Sequence, residues 1–188
     1  MQMDSADAVR VFQLVERKLI PVQREVVARL VPTGDKVRIP AGVFVTLTQT
    51  LGGTYTVIFN GNMARIDGEN ADAIGFEPEH LTYDEPQDDS IVEDHVWQTL
   101  RTVFDPEIPV NVVDLGLIYE VEIVKHSVNV KMTLTSPACG MGPVLVQDIE
   151  ERLARLPNVD QVTVDIVFEP PWSREHMSEE AQINLGLF

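Results

Sequence analysis

The chain has 188 residues, a formal net charge of −16, and hydrophobic and charged fractions of 44% and 23%. That length allows one large domain or two small ones with real cores, and the composition is that of a globular protein, not a disordered or fibrous one. The acidic balance disfavours nucleic acid as a partner, and no stretch nears the roughly 20 apolar residues that cross a bilayer.

A single cysteine excludes an internal disulfide and a self-contained four-cysteine metal site. The opening MQMDSADAVR lacks the basic start and apolar run of a secretory signal, so a cytoplasmic location is expected.

In chain order, residues 1–76 read as a small mostly-β, barrel-like domain. A short helix is expected first, then a strand through Val22–Leu30. Short β-branched runs follow at Val37–Ile39, Val43–Gln49, Thr54–Asn60 and Met63–Ile66. They are separated by Pro40–Ala41–Gly42, Gly52–Gly53 and Asn60–Gly61–Asn62, which suit tight hairpins. Residues 77–89 carry six acidic groups, no basic ones and two prolines, and read as a linker. The chain through Ser90 has a net charge of −6 and the remainder −10, so neither half resembles a nucleic-acid module.

Residues 90–188 alternate helix and strand. Ser90 and Glu93 fit a capping box, and Val92, Val96, Leu100 and Val103 form an apolar stripe at helical spacing. Tyr119, Val121 and Ile123 alternate in a first strand, and Val128, Val130, Met132 and Leu134 in a second, joined by a turn at Lys125–Ser127. Pro143 suits a first helical position, and Leu145, Ile149, Leu153 and Leu156 supply that helix's buried stripe. Val162, Val164, Ile166 and Phe168 form a third strand, and Ser178 caps a last helix. The order α-β-β-α-β-α predicts a small α+β sandwich with helices on one face of the sheet.

Chemistry concentrates in the strand-to-helix segment Thr133–Pro143, TLTSPACGMGP. Gly140 and Gly142 let backbone N–H groups approach a ligand, and a thiol at a helix start has its thiolate favoured. A thiolate binds iron or attacks a disulfide; the competing reading of Cys139 is a small buried hydrophobe. Asp105, Glu107 and Asp114 flank a proline- and glycine-rich loop, as hard cation ligands or as caps of turns. Trp172, in EPPW at 169–172, is either a partner's anchor or a cover for the sheet. His80, His95, His126 and His176 form no zinc-hydrolase pattern, and no phosphate-binding loop or nucleophile elbow occurs.

Val96-Trp97 with Leu100 and Val103, DPEIPVNVVDLGLIYEVEI at 105–123, TLTSPACGMGP at 133–143 and EPPW at 169–172 occur in the order of one family. Through them the chain resembles the metal–sulfur cluster biosynthetic family, which includes PaaD-like and cytosolic iron–sulfur targeting proteins. IPAGVFVTLTQTLGGTYTV at 39–57 and GNMARIDG at 61–68 look like the extension of its SufT branch. Cys139 stands at the family's cysteine position; the carboxyl-terminal zinc-binding cysteines of some PaaD-like relatives are absent.

The resemblance implies a non-catalytic accessory factor in iron–sulfur cluster assembly or delivery. Cys139 would contact iron, a cluster or a partner thiol, supported by Asp105, Glu107, Asp114, Thr135, Pro137, Gly140 and Gly142. Any cluster would be transient and shared between chains, as in a homodimer, because cluster irons take about four thiolate-type ligands. Suf scaffold or carrier proteins and client apoproteins would be the partners, with no nucleic acid or membrane involved. Two competitors remain: an adaptor for the Suf machinery that binds no metal and recruits partners through Trp172, and a thiol enzyme with His126 as base.

Overall fold

The computed structural model describes residues 17–187 apart from 52, 79, 81, 106, 107 and 109. The expected first helix lies outside the described residues. The chain divides into two compact units, Met1–His80 and Leu81–Phe188.

In the first unit, six strands form one antiparallel sheet: β1 (Lys18–Pro21), β2 (Val26–Leu30), β3 (Lys36–Ile39), β4 (Phe44–Leu51), β5 (Thr54–Phe59) and β6 (Asn62–Asp67). The spatial order is β1-β4-β5-β6-β2-β3, and among the described residues no ladder joins β1 to β3. Asn60 and Gly61, at φ 50° and 79°, make the two-residue connection between β5 and β6. Positive φ at both positions matches the turn's twist to that of the strands. Alternate residues, among them Ile20, Val45, Leu47, Val57, Ala64 and Ile66, are buried on one face against Ala71, Ala73 and Ile74 of a 3-10 helix over Gly68–Ile74.

Of the strand expected through Val22–Leu30, only Val26–Leu30 forms; residues 22–25 connect it to β1. That break is tertiary in origin. Val22 exchanges backbone bonds with Val43 and Gly42, Gln23 N–H donates to the Ala73 carbonyl, and Arg24 forks onto Asp72 at 2.5 and 2.6 Å. The guanidinium holds the Asp72 carboxyl below its ordinary range.

The second unit has the order α1 (Glu93–Leu100), β7 (Ile118–Val124), β8 (Ser127–Met132), α2 (Gly142–Leu153), β9 (Gln161–Ile166), α3 (Glu179–Asn184). β7 and β8 are antiparallel around Lys125 at φ 54°. β8 and β9 run parallel, with α2 as the crossover that a parallel pair requires.

Register places Val121, Ile123, Val128, Val130, Met132, Val162, Val164 and Ile166 on one face. Against it lie Leu145, Ile149, Leu153 and Leu156, the predicted stripe of α2, together with Val96 and Leu100 of α1. Burying each such side chain contributes about 1.5–3 kcal/mol. The outer face is polar: Lys131 Nζ bonds Glu120 at 2.6 Å and Asn129 bonds Glu122 at 3.2 Å.

The helix caps divide. Ser178 Oγ accepts the Ala181 N–H at 3.1 Å, as expected. Ser90 does not cap α1: the N-cap is Val92, without a side-chain bond, and the Ser90 hydroxyl donates to Asp88. Residues just before α1 are fixed to this unit. Tyr83 OH bonds Thr99 Oγ1 at 2.5 Å, and Asn158 Nδ2 donates to the carbonyls of Asp88 and Ser90.

Ile149→Ala is expected to destabilise the second unit by about 2–5 kcal/mol. Both tryptophans, Trp97 and Trp172, lie in this unit, so denaturant unfolding followed by their fluorescence reads it alone. A loss below about 1 kcal/mol would mean that α2 does not seal the sheet.

Candidate functional site

The Cys139 turn runs from residue 133 to 141, between the end of β8 and the start of α2. Its ends are anchored: Leu134 and Met141 are buried, and an added Cβ at Gly142 would lie 3.0 Å from Leu134 and 3.2 Å from Ile166. A side chain at 142 would therefore press on the methyl ends of Leu134 and Ile166. The middle is open. Ser136, Pro137, Ala138 and Gly140 are exposed, Thr135 and Cys139 are half-buried, and nothing lies within 4 Å of where a Gly140 Cβ would stand. Cys139 N–H donates to the Ser136 carbonyl at 3.0 Å and Ala138 N–H to Ser136 Oγ at 3.3 Å, so the turn is held by its own backbone.

Cys139 lies two residues ahead of Met141, the N-cap of α2, and not within the helix's first turn. It follows the carboxyl end of β8 in a β-α-β unit. Ligand sites of α/β sheets favour that position, because loops there leave the sheet with strand-end and helix-start groups converging.

Thr133 was not singled out by the sequence. It is fully buried, its N–H donates to the Leu117 carbonyl at 2.8 Å, and its hydroxyl has no hydrogen-bond partner. An unsatisfied buried hydroxyl is costly, and it sits at the base of the cysteine turn. No sequence pattern distinguishes it from Thr135, because its isolation depends on what surrounds it in space.

The Leu117–Thr133 bond brings the loop before β7 to the base of the same turn. In that loop Asp105 and Asn111 cap backbone N–H groups, and Asp114 holds the Asn111 amide. Asp105 Oδ1 accepts the Ile108 N–H at 3.1 Å. Asn111 Nδ2 donates to Asp114 Oδ2 at 2.6 Å, while Asn111 Oδ1 accepts the N–H groups of Val113 and Asp114. Glu107 lies outside the described residues. Trp172 is half-buried against the core, and its indole N–H donates to the Leu115 carbonyl at 2.8 Å.

His126 belongs to the other end of the sheet. It precedes β8 whereas Cys139 follows it, and a six-residue strand spans roughly 20 Å. Its ring bonds the Asn158 carbonyl and lies 3.6 Å from Asp89. The pairing of Cys139 with His126 as catalytic base is overturned by this separation. Among the described residues no group of three His, Cys, Asp or Glu side chains is placed to hold a metal ion, and no helix is long and apolar enough to cross a membrane.

The geometry is that of a small α+β domain presenting one thiol on a turn. A model of the iron–sulfur cluster assembly protein family matches residues 93–166, all within the second unit. The chain is 45% identical over 95 residues to an Fe-S protein maturation auxiliary factor of Porphyromonas gingivalis, covering 50% of this chain and 90% of that one. It is 39% identical over 97 residues to the Fe-S protein maturation auxiliary factor YitW of Bacillus subtilis, covering 51% and 95%. It is 42% identical over 86 residues to the Fe-S protein maturation auxiliary factor SufT of Staphylococcus aureus, covering 45% and 98%. The chain belongs to the iron–sulfur cluster assembly protein family. Since nearly the whole of each relative corresponds to about half of this chain, the other half is additional to what they share.

Thr133→Val, which removes the orphaned hydroxyl at constant shape, is expected to leave the second unit equally stable or to stabilise it by about 1–3 kcal/mol. Tryptophan-detected denaturation measures this. A loss above about 1 kcal/mol would reveal a partner for the hydroxyl.

Proposed function

We infer that this chain is an accessory factor for iron–sulfur cluster assembly or delivery, in which Cys139 contacts iron, a cluster or a partner's thiol. The observation that carries this reading is that Cys139, although it packs against the core, is only half-buried and stands between exposed neighbours, Ala138 and Gly140. Free cysteines that serve packing are most often fully buried, and this one is not. The open space beside Gly140 leaves room for a ligand to approach. The names of the relatives, maturation auxiliary factors and not enzymes, support a non-catalytic role.

One thiol cannot satisfy a cluster, whose irons take about four thiolate-type ligands. The loaded form is therefore shared, between two copies of this chain or with a scaffold, carrier or client of the Suf type. Hard ligation by the nearby carboxylates is not part of this reading, because Asp105 and Asp114 are engaged in turns. The acidic surface suits basic partner surfaces, and a cytoplasmic setting suits a reduced thiol.

Anaerobic reconstitution with ferrous iron and sulfide tests the reading. The wild-type chain is expected to gain charge-transfer absorption and bound iron, with the loaded species larger than one chain by native mass spectrometry. Cys139→Ser is expected to lose both. Equal iron uptake by the two proteins would remove Cys139 from any metal role.

A further inference from the structure

The segment after β9 is fastened to the Asp114–Tyr119 stretch at several points. Tyr119 OH donates to the Pro170 carbonyl at 2.8 Å, Trp172 Nε1 to the Leu115 carbonyl at 2.8 Å, and Ser178 N–H to the Asp114 carbonyl at 2.9 Å. Gly116, at φ 71°, runs so close beneath this strap that an added Cβ would stand 2.1 Å from the His176 carbonyl oxygen. Two residues on, the Leu117 carbonyl accepts the Thr133 N–H at 2.8 Å, where β8 gives way to the Cys139 turn. Leu115, Leu117 and Thr133 are all buried, so water does not replace a bond lost along this path.

We propose that Trp172 is a positioning residue for Cys139: its indole N–H fixes Leu115, and through Leu117 and Thr133 this sets the conformation of the cysteine turn. The tryptophan's part is then internal, holding the thiol's presentation from the far side of the loop. The proposal rests on the reading of Cys139 as the working group. Its physical content, a linkage from the strap to the turn, is measurable without any metal.

The test uses the full chain and Trp172→Phe, which keeps an aromatic ring against the core and removes the N–H donor together with the rest of the indole. Loss of that bond leaves a buried carbonyl unpaired, so the amides of Leu117 and Thr133 are expected to exchange about tenfold faster. Cys139 is expected to react about threefold or more faster with iodoacetamide as its turn opens more often. Amides of β5 in the first unit serve as the control and stay as in wild type. Gly116→Ala, which lifts the strap from beneath, is expected to act in the same direction. Should that variant not fold, Trp172→Phe decides alone.

Faster exchange with unchanged alkylation would overturn the proposal and leave the strap a purely structural clasp. Unchanged exchange and alkylation would overturn it outright. If alkylation responds while Cys139→Ser still takes up iron as wild type does, the linkage stands and the role given to the thiol falls.

Discussion

The second unit depends on one apolar layer, the contact of α2 with the inner face of β7, β8 and β9. Because β8 and β9 run parallel, the chain must leave the sheet at Met132, cross over it and return at Gln161. The crossover helix has to bury Leu145, Ile149 and Leu153 for the sheet to be dry on that side. This requirement fixes both ends of the cysteine turn. Leu134 enters the core at one end, and Met141 and Gly142 meet it at the other. Between them only Cys139 leans partly on the core, and Ser136, Pro137, Ala138 and Gly140 are exposed.

The division between anchored ends and open middle sorts the residues around Cys139. A Cβ at Gly142 would crowd the methyls of Leu134 and Ile166, whereas one at Gly140 would meet nothing within 4 Å. Asp105 and Asp114 are spent on neighbouring N–H and amide groups. Sulfur, backbone amides and the hydroxyls of Thr133 and Ser136 are then the nearest polar groups of the turn itself. Such a set suits transient contact with a soft cargo better than permanent chelation of a hard cation.

Much of the second unit was legible because its signals are local. The alternation of Val128, Val130 and Met132 and the helical spacing of Leu145, Ile149 and Leu153 each report a single element with one dry face. The differences arise where a residue outside the expected motif decides the outcome. Ser90 had the right partner in Glu93 for a capping box, but Asp88 captured its hydroxyl. Val22–Leu30 had strand-like composition, but Val43, Ala73 and Asp72 drew residues 22–24 aside. At the site, the cysteine and its glycines stood out by residue type, which a sequence displays directly. The isolation of Thr133 and the tie from Trp172 to Leu115 depend on spatial neighbours 57 residues apart in the latter case, and no local pattern carries them.

The parallel pairing of β8 with β9 also imposes an order on the birth of the molecule. An antiparallel hairpin such as β7–β8 closes as soon as its second strand is made, because its partners are adjacent. The β8–β9 ladder must wait until translation has passed Ile166, and the strap waits longer still. For that interval the cysteine turn hangs from an unfinished sheet. The thiol acquires its final surroundings only after β9 and the strap have been made, so a chain cut short before them presents Cys139 without the setting that distinguishes it.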